Sequence, residues 1–204
     1  MRLAFNHQNP KTSLETNRTI NQSVASNHQH RASHAPHDTN RNTRRTKPEP
    51  DFVKANCDVS MKVKGYWGIS AIIRNDEGMV MASATWRTLG FEDPTTAEAS
   101  AIWKTMTLAN ECGFRQVIFE GDCERVIRLI QHKERQDRSY FSLFNREIQG
   151  TESAFDKCIL RFTPRSGNRV ADSLAHLAYT NPNLVWIEEV PPTINDVYIF
   201  YLIR

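Results

Sequence analysis

Residues 52–60 alternate. Val53, Ala55, Cys57 and Val59 fall on one side and Lys54, Asn56, Asp58 and Ser60 on the other. A period of two predicts a strand with one polar face. Residues 66–74 predict a second strand, Asn75-Asp76-Glu77-Gly78 a tight turn, and residues 79–88 a third strand, so the chain opens as an antiparallel meander. The period then changes. Residues 95–110 place Ala97, Ala101, Ile102, Met106 and Ala109 at helical spacing and stop before Cys112-Gly113. Residues 117–120 form a short apolar strand, and Gly121-Asp122 turns it into a helix holding Val126, Ile127 and Ile130. A helix over about 140–150 and a strand over 158–163 follow. A last helix is expected to open at Asn168, a good N-cap residue, with Val170, Ala171, Leu174, Ala175, Leu177 and Ala178 on its apolar face. Asn168 and Asp172, four apart, share a face of that helix. Three strands followed by alternating helices and strands predict an α/β fold, a mixed five-stranded sheet flanked by helices.

Composition divides the chain. Residues 1–50 hold about ten apolar residues without periodicity, 8 Lys or Arg and 3 Asp or Glu, hence a net charge of +5; the whole chain is +3, so the remainder carries −2. The first 50 residues are therefore expected to be a disordered basic arm, residues 51–180 the folded domain, and 181–204 an extension packing on it or trailing from it. Such an arm serves either as a weak electrostatic grip on nucleic acid or as a solvated leader. It lacks the apolar centre of a secretory signal, and no apolar run reaches the 18 or so residues that span a bilayer. The expected setting is intracellular, nuclear or cytoplasmic, with organelle targeting by the arm left open. Four isolated cysteines (57, 112, 123 and 158) without a C-x-x-C pair read as reduced thiols with no disulfide partner. A monomer is expected.

Four acidic residues stand at strand ends or helix starts: Asp58, Glu98, Asp122 and Asp172. Each has an ordinary explanation. Thr95-Thr96-Ala97-Glu98 fits a capping box, Asp122 fits an N-cap, and Asp58 fits a solvated strand face. Asp172, beside Ala171 and Leu174, is the hardest to place on a surface, since burying a carboxylate calls for a charged partner or a metal.

The ordered fragments Val53-Lys54-Ala55-Asn56-Cys57-Asp58, Gly68 to Gly78, Ala97-Glu98-Ala99-Ser100-Ala101, Phe119-Glu120-Gly121-Asp122-Cys123 and Pro164 to Ala175 resemble the ribonuclease H family, in particular the plant reverse-transcriptase-associated ribonuclease H-like domains. The resemblance spans roughly residues 52–180 and implies the ribonuclease H-like fold. It implies that Asp58, Glu98, Asp122 and Asp172 are the catalytic, metal-binding carboxylates, holding two Mg2+ ions for which Mn2+ can substitute. Asp58 would bridge the ions, Glu98 and Asp122 would complete one site, and Asp172 would hold the ion that activates water. Paired hard cations make water nucleophilic and stabilise the leaving 3′-oxygen, and carboxylate oxygens suit them.

The implied reaction is endonucleolytic hydrolysis of the RNA strand of an RNA–DNA hybrid by a retroelement-derived enzyme. The rivals are a nucleic-acid-binding module with little catalysis, and exonuclease or strand-transfer chemistry on the same fold. Ser60, Asn75, Thr95, Arg165 and Asn168 are the candidate substrate contacts; turn and capping duties explain several of them equally well. Several ribonucleases H carry a histidine in the loop before the last helix. This chain has Arg165 there, which can hold a phosphate but cannot act as a base.

Overall fold

The structure, a computed structural model, describes residues 47–132 and 139–202. The expectations for the arm up to residue 46 lie outside the described residues.

The meander forms as the pattern requires. Strand β1 (Val53–Ser60) pairs antiparallel with β2 (Tyr66–Arg74), and β2 with β3 (Val80–Leu89). Helix α1 (Pro94–Glu111) returns the chain, so that β4 (Gln116–Gly121) lies parallel to β1. Helices α2 (Glu124–Gln131) and α3 (Tyr140–Glu152) lead to β5 (Lys157–Phe162), parallel to β4. Helix α4 (Arg165–Leu177) follows. Among the described residues the sheet has six strands rather than five, in the order β5-β4-β1-β2-β3-β6. The added strand β6 (Leu184–Ile187) comes from the C-terminal extension and pairs antiparallel with β3. A 3₁₀ turn (Pro192–Ile194) and helix α5 (Asn195–Leu202) end the described residues.

Two apolar layers enclose the sheet. On one side Ala55, Cys57, Ile69, Ala71 and Ile73 pack with Ile102 and Met106 of α1, Ile127 and Ile130 of α2, and Ile148 of α3. On the other, Ile72 and Val80 pack with Val170, Ala171 and Leu174 of α4 and with Ile194 of the extension. Each fully buried aliphatic side chain contributes about 1.5–3 kcal/mol of transfer free energy.

The face of β1 expected to meet solvent is covered by α4. Lys54, Asn56, Asp58 and Ser60 are all buried. A buried polar face needs partners, and the neighbouring elements supply them. Lys54 Nζ lies 3.1 Å from Glu120 Oε1 of β4, and Asn56 Nδ2 donates to Glu120 Oε2 at 3.1 Å and to Asn168 Oδ1 of α4 at 3.3 Å. Arg74 Nη2 donates to Asn56 Oδ1.

Helix α4 starts three residues earlier than expected. Pro164, in extended backbone, precedes Arg165, and Asn168 lies inside the helix rather than at its cap. Gly167 belongs to the first helical turn rather than to a loop. Its missing side chain admits Thr163, whose Oγ1 would stand 2.7 Å from a Cβ there. Gly68 of β2 works likewise, since a Cβ would meet the Ala175 carbonyl oxygen at 2.4 Å. Together with the Ser70 Oγ hydrogen bond to the Ala171 carbonyl at 2.7 Å, this close approach presses α4 onto the sheet.

Candidate active site

Parallel neighbours β1 and β4 bring their C-terminal ends together, and α1 and α4 each aim a turn at the same end. Asp58 lies near the end of β1 and is 6% exposed. Asp122 immediately follows β4, and Glu98 lies on the second turn of α1. One carboxylate oxygen from each of Asp58, Glu98 and Asp122 falls in a group whose members all lie within 4.8 Å of one another. Asp172 joins them at the rim of a cleft of about 290 Å³, lined by Asp58, Val59, Glu98, Asp122, Arg165, Arg169 and Asp172.

The ordinary explanations for these acids do not hold. Helix α1 is capped by Asp93, whose side chain accepts from the Thr95 and Thr96 amides, so Glu98 caps nothing. Helix α2 has Cys123 at its cap without a side-chain hydrogen bond, and Asp122 stands one residue outside. Asp172 departs from expectation in the opposite sense. Its side chain is 61% exposed, the most open of the four.

The electrostatics follow from this crowding. Burial, with the charges of Asp122 and Asp172 behind it, pushes Asp58 from 3.8 up to about 7. Burial and the charges of Asp58 and Asp122 push Glu98 from 4.5 up to about 8. Asp122 is raised as well, by burial and by Asp172, against the opposing pull of Arg165. Arg165 Nε lies 3.5 Å from Asp122 Oδ2, but its side chain is 93% exposed, so solvent screens the pair. Three converging carboxylates therefore meet a deficit of positive charge. A hard divalent cation would supply it, and an all-carboxylate donor set suits Mg2+. The neighbouring thiols do not compete. Burial raises Cys57 well above its usual range and raises Cys123 too, so both stay protonated at neutral pH and present no thiolate to a softer metal.

The remaining expected contacts scatter. Thr95 lies one turn before Glu98, at the site's edge, with its amide held by Asp93. Arg165 lines the cleft. Ser60 lies two residues beyond Asp58 on the same face of β1, with Oγ 3.2 Å from His176 Nδ1. Asn168 is 1% exposed and fully engaged, with Nδ2 donating to the Cys57 carbonyl at 2.9 Å; it locks α4 to β1 and does not reach solvent. Asn75 is not brought to the site. Its Oδ1 accepts from the Met79 amide, and it lies past the far end of β2. Since Asp58 pairs with Ser70, five residues of strand, about 16 Å, separate Asn75 from that level. There it lines a larger cavity, about 800 Å³, between the β2–β3 turn and the C-terminal extension, well away from the four carboxylates. His176 was not anticipated at the site. The signal was its spacing, four residues after Asp172 and eight after Asn168.

Comparison with known proteins bears on this arrangement. The family model described as reverse transcriptase-like matches residues 56–178. No curated protein matches the chain. Among solved structures, the ribonuclease H1 of the halophilic archaeon Halobacterium salinarum superposes with a TM-score of 0.58 at 20% identity, covering 64% of this chain and 98% of that one. The N-terminal ribonuclease H domain of rv2228c from Mycobacterium tuberculosis gives 0.57 at 20% identity, with 64% and 94% covered. LC11 ribonuclease H1, isolated from compost by a metagenomic approach and solved in complex with an RNA/DNA hybrid, gives 0.51 at 16% identity, with 60% and 91% covered. The fold is that of the ribonucleases H, with the sixth strand added at its edge.

Proposed function

The chain belongs to the reverse transcriptase-like family, and on that premise we propose that it is a divalent-metal-dependent nuclease cleaving the RNA strand of RNA–DNA hybrids. The observation that carries the reading is the convergence of Asp58, Glu98 and Asp122 within 4.8 Å, with Asp172 on the rim of the same cleft. Solved structures with this fold include LC11 ribonuclease H1 in complex with an RNA/DNA hybrid, which supports the choice of substrate.

Asp58, Glu98, Asp122 and Asp172 would hold two Mg2+ ions. Bound there, the ions lower the pKa of a coordinated water and neutralise charge on the scissile phosphate. The protein's own part is to fix the ligands. Burial and strand pairing hold Asp58, the second turn of α1 holds Glu98, the strand exit holds Asp122, and α4 carries Asp172. Arg165 and Arg169, a helical turn apart, stand over the cleft mouth where an entering phosphodiester passes, and guanidinium groups bind phosphate well. Ser60 and Thr95 flank the carboxylates and provide polar groups for the RNA strand.

The test is incubation of the full chain with labelled RNA–DNA hybrid, double-stranded RNA and single-stranded RNA, with Mg2+, with Mn2+ and with chelator. Cleavage confined to the hybrid and dependent on the metal is expected. Asp58→Asn should lower kcat by a factor on the order of a thousand, equivalent to about 4 kcal/mol of barrier. Hybrid binding without cleavage would instead identify a binding module on a nuclease scaffold.

A further inference from the structure

Helix α4 meets β1 along a matched pair of stripes. Four helical residues rise about 6 Å, and two strand residues about 6.6 Å, so the two elements advance nearly in step. Asn168, Asp172 and His176 on the helix therefore lie beside Asn56, Asp58 and Ser60 on the strand. The first rung is the amide contact of Asn168 with Asn56. The second is the carboxylate pair of Asp172 and Asp58. The third is His176 with Ser60, Nδ1 to Oγ at 3.2 Å.

The middle rung is the one under strain. Its two carboxylates repel each other, and Asp172 is free to turn toward solvent because most of its side chain is exposed. The third rung stands directly beside it. His176 Nε2 lies 3.7 Å from Asp172 Oδ1, so the ring limits where that carboxylate can turn. The ring is kept there from behind by Ser60, itself 7% exposed on the strand that carries Asp58. Tyr179 fixes that strand end by donating from its hydroxyl to the Ser60 carbonyl at 2.5 Å.

We propose that His176 is a positioning residue: anchored on Ser60, it holds the Asp172 carboxylate toward Asp58 and so sets the site's affinity for the ion that Asp172 helps to hold. The inference rests on the metal-binding reading above. Residues that orient metal-ligating carboxylates typically change affinity 10- to 100-fold when removed.

The experiment is calorimetric titration of the full chain with Mn2+ at one fixed pH, for wild type, His176→Ala, His176→Gln and Ser60→Ala, alongside thermal unfolding and hybrid-cleavage kinetics. His176→Ala is expected to bind Mn2+ about 10-fold more weakly with a Tm close to wild type, and Ser60→Ala to weaken binding in the same direction. Glutamine, which can reach both partners, should restore most of the affinity. For His176→Ala the metal concentration giving half-maximal cleavage should rise in parallel, while KM for hybrid stays unchanged. Wild-type binding retained in full by His176→Ala overturns the proposal, as does a fall in Tm without a change in Mn2+ affinity. A wild type that binds no Mn2+ fails at the earlier step: it removes the metal-binding reading, and this proposal with it.

Discussion

Neutralising Glu98 should stabilise the metal-free protein, and only at high pH. Glu98 moves from 4.5 to about 8 because burial and the charges of Asp58 and Asp122 disfavour its ionised form. A folded-state pKa above the unfolded one means that protonation favours the fold. The favourable contribution is complete below about pH 4.5, declines as pH rises, and is gone above about pH 8. Taken alone, a shift of about 3.5 units at 1.36 kcal/mol each amounts to roughly 5 kcal/mol. Asp58 shares the same repulsion, however, and protonating either relieves the other, so roughly 2–3 kcal/mol is the expected share of one residue. For a domain of this size that corresponds to roughly 5–10 °C in Tm. The assay is thermal and denaturant unfolding of wild type and Glu98→Gln in chelator from pH 5 to pH 9. The two should differ least at pH 5, just above the unfolded-state value, with the variant pulling ahead as pH rises and leading by about 2–3 kcal/mol at pH 9. On the proposed metal-binding reading, saturating Mg2+ at pH 8 should reverse the order, because an ion held by the native wild-type site would stabilise it. A difference between the two proteins that does not change with pH would refute the electrostatic reasoning.

The buried Lys54–Glu120 pair makes a second prediction. Lys54→Met alone leaves Glu120 buried without its cation and should cost roughly 3–5 kcal/mol, whereas adding Glu120→Gln should recover at least half of it; losses that simply add in a denaturant double-mutant cycle would contradict the coupling. Gly68→Ala should cost roughly 2–3 kcal/mol, because its Cβ would collide with the Ala175 carbonyl and lift α4, and an unchanged unfolding midpoint would show that α4 is not held this closely.

How far the chain could be read in advance depended on what each pattern encodes. The period-two alternation of residues 52–60 told which residues share a face of β1, and the structure keeps that division. It carried no information on what covers the polar face. That depended on Glu120, 64 positions away, and Asn168, 112 positions away, arriving with matching donors and acceptors. Asn168 was read by its local habit, as a cap. Tertiary packing gave it another use, as a buried bridge, and used Gly167 beside it for close approach. Strand β6 was not predicted, since four residues are too few to show a period, and Leu184, Val185 and Ile187 all remain exposed at the edge of the sheet.

Asp172 shows the limit most clearly. Its neighbours Ala171 and Leu174 are buried, and proximity in sequence suggested that it would be buried too. On a helix, adjacent residues point about 100° apart, so a buried neighbour at one position places the next at the border of the apolar face. What fixes Asp172 is the stripe it shares with Asn168 and His176, four residues to either side, each pinned to β1 by a hydrogen bond. The same geometry separates the carboxylates by role. Asp58, Glu98 and Asp122 are held by the fold in mutual repulsion that it cannot relieve by moving them, so a cation or a proton must relieve it. Asp172, with 61% of its side chain exposed, is constrained less by packing and more by its neighbours on the stripe. On the proposed function, the centre formed by Asp58, Glu98 and Asp122 would keep its shape whatever the orientation of Asp172.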